Sequence, residues 1–163
     1  MERTRRRFVA LAGATVAGGA LAGCSSDGDG TPTDEGRPYL DVEPNYRGWF
    51  DDVSNYERTR DYRGESSVSV AVGVEGGIGY FKFGPPAIAV SPGTEVTWKW
   101  TGRGGAHNVV AQQGRFDSGD PVDTEDRTFS FTFESPAVYK YLCEPHQSQG
   151  MRGAVFVGLG QSE

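Results

Sequence analysis

From residue 68 onward, apolar side chains recur at every second position in short runs. Val68, Val70, Val72 and Val74 alternate with Ser69, Ala71 and Gly73, the pattern of a half-buried strand. Gly76-Gly77 turns the chain, residues 80–83 form a brief β segment, and Pro85-Pro86 blocks ladder pairing behind it. Residues 87–90 make another short strand, closed by the turn dipeptide Pro92-Gly93. Val96, Trp98 and Trp100 share one face of the next strand, with Glu95, Thr97 and Lys99 on the other. A Gly-rich turn (101–105) leads to a strand over 107–111, and a polar acidic loop over 114–127 follows. Phe129, Phe131 and Phe133 alternate with Ser130 and Thr132, Ser135-Pro136 breaks that strand, and Tyr139 and Tyr141 alternate up to Cys143. Residues 153–157 supply the last strand. Seven to eight short strands punctuated by turns predict an all-β sandwich or barrel. The Val, Trp and Phe faces are sufficient for a two-sheet core.

The first 65 residues read differently. Met1 to Arg7 is basic and Phe8 to Gly23 is a run of small and apolar residues, too short for a membrane span of about 20 residues. Basic start, moderate apolar run and small-residue end predict a secretory signal over 1–23. Thr4-Arg5-Arg6-Arg7-Phe8-Val9 resembles a twin-arginine export motif. Leu21-Ala22-Gly23-Cys24 looks like a lipobox, in which Cys24 becomes the lipidated N-terminus. Residues 24–36 are Gly-, Asp- and Thr-rich and are expected to be a disordered tether. Residues 37–65 hold Tyr39, Tyr46, Trp49, Phe50, Tyr56 and Tyr62, too aromatic for linker. Trp49 and Phe50 are expected to pack this extension, irregular or briefly helical, onto the domain at 66–158.

Charge narrows the partners. The chain carries 16 Lys+Arg against 22 Asp+Glu, a net charge of −6, and from Cys24 onward 12 against 21. Nucleic-acid binding needs a basic footprint and is not expected. An acidic surface suits concentrated salt, where screening suppresses self-repulsion, so a halophilic source is the expectation. A Cys24 to Cys143 disulfide is not expected, because a floppy tether gives no fixed Cα geometry for it.

The chemistry gathers in Cys143-Glu144-Pro145-His146-Gln147-Ser148-Gln149-Gly150-Met151. This segment holds one of two cysteines, one of two histidines and the one methionine besides Met1. Thiolate, imidazole and thioether within nine residues are soft or borderline metal donors. The other histidine, His107, completes two nitrogens, one sulfur and a weak axial thioether, the donor set of a blue-copper electron-transfer site. Zinc is the inorganic rival, but methionine is not among its usual ligands. A nucleophilic Cys143 with His146 as base is the enzymatic rival and needs an activated thiolate beside an open pocket. A copper-delivery protein is a further alternative. With two histidines, both already assigned, a second copper centre is not expected.

Residues 66–158 resemble the cupredoxins of the plastocyanin and halocyanin type. The shared marks are Pro92-Gly93-Thr94, Val96-Thr97-Trp98, Ala106-His107-Asn108-Val109, and Tyr139-x-Tyr141-x-Cys143-x-Pro145-His146-x-x-x-Gly150-Met151. The resemblance implies a Greek-key β-sandwich and no enzyme activity. It implies one copper ion held by His107, Cys143 and His146, with Met151 axial. Asn108 would tie the two ligand segments together, and Pro145 would leave one fewer N–H to approach the sulfur. The edge of His146 would serve as electron port. Leu142 stands where plant plastocyanins carry a tyrosine used in partner contact, which argues against a plant-type docking route. The expected role is a monomeric one-electron shuttle on the outer face of the cytoplasmic membrane. A lipid anchor in the bilayer would hold it near membrane redox complexes or a terminal oxidase, its donor and acceptor.

Overall fold

The structure is a computed structural model, and it describes residues 36–159. The expected signal (1–23), the lipidation site Cys24 and all of the expected tether but Gly36 lie outside the described residues.

Among the described residues, nine strands form two sheets. One has the order β1 (Arg60–Asp61), β4 (Ala87–Val90), β9 (Arg152–Val157), β8 (Ala137–Leu142) and β6 (Val110–Ala111); the other has the order β3 (Lys82–Gly84), β2 (Ser67–Val74), β5 (Thr94–Thr101) and β7 (Glu125–Phe133). Both sheets are mixed. β1 with β4, β4 with β9 and β2 with β5 are parallel; the other pairs are antiparallel. From β3 to β8 the chain changes sheet at each step, so each connection spans the gap between layers.

The alternation in the sequence becomes the core. Val68, Val70 and Val72 pair in register with Val96, Trp98 and Trp100, and all six are buried. Ile88, Val90, Val155, Val157, Tyr139 and Tyr141 face them from the other sheet in the same apolar cluster. Trp98 lies within it, with ring centroids of Phe116 and Tyr141 both 5.2 Å away.

Several boundaries differ from the expectation. β6 is only Val110–Ala111; His107 precedes it in an isolated bridge to Val122, with N–H···O bonds of 3.0 Å in both directions. The acidic loop ends early, because β7 begins at Glu125. β3 is shifted to Lys82–Gly84 and stops in front of Pro85, which has no N–H to offer a ladder. Strand β1, two residues long, is too short to show a period and is the strand that was not expected, whereas β6 is what remains of the strand expected over 107–111.

The extension is turns rather than helix, and Trp49 and Phe50 do pack on the domain. Tyr46, Phe50 and Val53 lie with Ala87 and Ala154 in a second apolar cluster. Those alanines point away from the main core, since neighbours along a strand face opposite sides. The Trp49 indole N–H donates to the Gly153 carbonyl at 2.9 Å, so the extension is bonded to β9 on the sheet's outer side.

Gly153 also makes room inside. A Cβ there would overlap the hydroxyl end of the fully buried Tyr141 ring. Gly153→Ala is expected to destabilise the copper-free protein by about 1–3 kcal/mol through overpacking. The urea midpoint reads this; an unchanged midpoint would mean that the Tyr141 ring yields freely.

Candidate metal centre

Two chain segments converge at one end of the sandwich. One is residues 103–108, between β5 and β6. The other starts at Cys143, as β8 ends, and continues through a 3-10 helix (Glu144–Gln149) with Pro145 in its first turn. Gly150 closes that helix in the left-handed conformation, φ 71°, which glycine adopts without steric cost. Met151 follows, directly before β9.

The loop is tied to itself. The Cys143 N–H donates to the Met151 carbonyl at 3.0 Å, the Met151 N–H to the His146 carbonyl at 3.2 Å, and the Gly150 N–H to the Gln147 carbonyl at 3.1 Å. It is tied to the other segment by Asn108, which is fully buried. The Asn108 amide Nδ2 donates to the Glu144 carboxylate at 2.6 Å, and the Glu144 backbone N–H donates to Asn108 Oδ1 at 2.9 Å. Asn108 thus bonds the two segments to each other. Pro145 has no N–H to offer, and the His146 N–H donates to the Cys143 carbonyl at 3.3 Å.

His107 Nδ1 lies 3.0 Å from His146 Nδ1, and Cys143 Sγ lies 3.7 Å from the first and 3.5 Å from the second. Donors about 2.0–2.3 Å from one ion at trigonal angles sit roughly 3.5–3.8 Å apart. The sulfur–nitrogen edges match that spacing, and the shorter nitrogen–nitrogen edge corresponds to an angle of about 95° at the ion. The three donor atoms therefore fit around a single metal ion. Met151, next in the chain after the loop's closing Gly150, is fully buried and belongs to the same core cluster as Cys143.

The protonation states fit as well. His107 Nε2 lies 2.6 Å from the Arg103 carbonyl. A carbonyl only accepts, so Nε2 carries the proton and Nδ1 turns a lone pair to the centre. Burial pushes both histidines below their usual range; for His107 the Arg103 carbonyl and Asp123 pull back, and for His146 the neighbouring His107 adds to the depression. Burial pushes the Cys143 thiol up, against the N–H groups of Asn108 and His146. Among the described residues Cys143 has no disulfide partner.

His107 is seated by residues that sequence reasoning passed over. A Cβ at Gly73 (φ 90°) would lie 3.2 Å from His107 Nε2 and 2.6 Å from the Arg103 carbonyl, and one at Gly104 (φ 82°) would overlap the Tyr80 carbonyl. The Trp100 indole N–H donates to the His107 carbonyl at 3.0 Å. Gly73 left one signal, a glycine interrupting an otherwise regular valine alternation, which marks a close approach.

Exposure separates the donors. His107, Cys143 and Met151 are at most 1% exposed, whereas His146 is half-buried, its ring tilted 30° against Phe81 at 4.5 Å. Its imidazole is the donor that reaches the surface.

The depressed histidines set an acid limit for the metal-free fold. Unfolded, they titrate near 6.5; folded, they resist the proton. Below about pH 6.5 the unfolded chain binds more protons, so stability is present above that value and falls as pH drops through it. Urea midpoints of metal-free protein are expected to decline from pH 7 to 5, with a shallower decline in His107→Gln. Equal slopes in the two proteins would contradict this.

Comparison with known proteins agrees with this geometry. A family model described as copper binding proteins, plastocyanin/azurin family, matches residues 68–158. The chain is 43% identical to a halocyanin of Natronomonas pharaonis, over 94% of this chain and 97% of that one. It is 36% identical to a chloroplastic plastocyanin of Physcomitrium patens, over 52% of this chain and 54% of that one. Among solved structures, oxidised plastocyanin from Dryopteris crassirhizoma aligns with a TM-score of 0.47 at 28% identity, covering 56% of this chain and 100% of that one. With its donor set and sandwich fold, the chain belongs to the plastocyanin/azurin family of copper-binding proteins, the blue copper electron carriers.

Proposed function

We propose that this protein is a lipid-anchored carrier of single electrons. It holds one copper ion through His107, Cys143, His146 and Met151, and works between membrane-associated redox partners on the outer face of the cytoplasmic membrane. The observation that carries the ligand assignment is the convergence of Nδ1, Nδ1 and Sγ at 3.0–3.7 Å from two distant segments. When bound, copper supplies a one-electron couple, Cu(II) to Cu(I), within a donor set intermediate between the preferences of the two states.

The chain's own residues do the rest. The His107 hydrogen bond to Arg103 and the pairing of Asn108 with Glu144 hold the donors in place, so little has to move when the charge changes. The buried Cys143 and Met151 keep water from the sulfur ligands. The half-exposed His146 ring offers the short path to a partner at the surface. The export-type start, the lipobox-like Leu21-Ala22-Gly23-Cys24 and the polar segment behind it support the anchored location. Metal delivery fits less well, because handing over an ion requires reachable donors and three of these four are buried. A thiol nucleophile is disfavoured by a sulfur that is fully buried and pushed toward its protonated form.

Copper-loaded protein is expected to show an intense thiolate-to-copper absorption toward the red. Cys143→Ser should abolish that band while leaving the fold's circular dichroism intact; a band that persists in Cys143→Ser would overturn the ligand assignment. Cys24→Ser is expected to move the expressed protein from the membrane to the soluble fraction, and retention on the membrane would overturn the anchor.

A further inference from the structure

Lys82 is the first residue of β3 and is 3% exposed, although it carries a charge. Successive strand residues face opposite sides, and here both sides are covered. Phe83 enters the main core. On the other side, the extension and the ligand loop close over Lys82. The Asn55 amide donates to the Phe83 carbonyl at 2.8 Å, and the Ser54 hydroxyl lies near Gly77. Gly76 leaves room for the aliphatic stem of Lys82, since a Cβ there would overlap its Cγ.

The ammonium is aimed at the metal loop. Lys82 Nζ donates to the Gln149 carbonyl in a short hydrogen bond, and to the Gly150 carbonyl at 3.2 Å. These are the last two carbonyls before Met151, at the C-terminal end of the 3-10 helix, where acceptors lack helical partners and a cation is favoured. From the other flank, the Asp52 carbonyl presses on Gly150 so closely that a Cβ there would overlap it. Burial, then the nearby Arg152 cation, pushes the Lys82 ammonium below its usual range, so the placement is costly for the charge.

We propose that Lys82 is a positioning residue for the copper centre. Its ammonium braces the turn at 149–150 that delivers Met151, and its charge, held out of water beside the ligand loop, raises the reduction potential. The second part follows from Coulomb's law: Cu(II) gains an electron on reduction, and a nearby fixed positive charge favours the less positive state, more so where solvent screening is weak. The extension contributes by keeping that charge dry, although it precedes residues 68–158, the segment that the family model matches. This proposal rests on the copper reading of the site.

The test is redox titration of the copper-loaded chain with Lys82→Met and Lys82→Gln. Lys82→Met removes charge and donor; Lys82→Gln removes the charge and keeps an N–H donor. A lower midpoint potential is expected in both, together with an altered electron paramagnetic resonance spectrum in Lys82→Met as Met151 loosens. An unchanged midpoint in either variant that folds overturns the proposal. The unmodified protein offers a readout that needs no variant: in its diamagnetic form, the Lys82 ammonium is expected to give a nitrogen resonance protected from exchange with water. Rapid exchange there equally overturns the proposal. An unmodified protein without the red absorption band would instead strike the copper assignment. A normal band with an unmoved midpoint strikes Lys82 alone.

Discussion

Asn108 and Glu144 exchange two hydrogen bonds, side-chain amide to carboxylate and backbone N–H back to the amide oxygen. The segment that carries His107 is thereby joined to the segment that carries the other three donors. The two are 36 residues apart along the chain, and bringing them together closes a large loop whose entropy favours separation. Asn108 is fully buried, so its amide has no solvent to turn to, and Glu144 at the surface supplies both the acceptor and the donor that satisfy it. The 3.0–3.7 Å spacing of the donor atoms depends on this tie.

The sandwich serves the tie by bringing rigid ends to it. β5 leads into the His107 segment, and the Trp100 indole clamps the His107 carbonyl. β8 ends at the cysteine, and β9 begins one residue after the methionine. Because β8 and β9 pair antiparallel from Ala137 with Val157 to Leu142 with Arg152, the ligand loop is a hairpin connection with fixed ends. Glycines set the tolerances. Gly73 and Gly104 admit the His107 ring, Gly150 admits the Asp52 carbonyl, and Gly153 admits Tyr141. A metal site of this kind needs little conformational freedom, since a geometry that changes little on reduction lowers the barrier to moving an electron.

The extension gives the site a second wall. Trp49 bonds to Gly153, Asn55 to Phe83, and Asp52 touches Gly150, so one short stretch of turns contacts β3, β9 and the ligand loop. Asp52 covers Gly150 near the buried Lys82, while Glu144, Pro145 and residues 147–149 of the loop stay exposed. His146 is then the one of the four candidate donors that reaches the surface.

Much of this was legible before any coordinates. Strict alternation in Val68 to Val74, Val96 to Trp100 and Phe129 to Phe133 specifies a strand and its inward face, because the pleat has a period of two whatever the neighbours are. The chemistry was equally local: Cys143, His146 and Met151 share one loop, and with His107 they exhaust the chain's imidazoles and its thioether beyond Met1. What pattern could not reach depends on contacts between remote segments. Two-residue strands have no period to read. Lys82, between two phenylalanines, carries nothing in the sequence to show that it lies under a turn nearly 30 residues upstream. The choice of Nδ1 over Nε2 as the His107 donor rests on where the Arg103 carbonyl sits. Residue type and spacing along the chain thus pointed to the candidate donors and to the strands that carry them. Three-dimensional packing alone settled which ring nitrogen faces inward, which donor remains exposed and which charge is kept dry, because those depend on atoms that become neighbours only on folding.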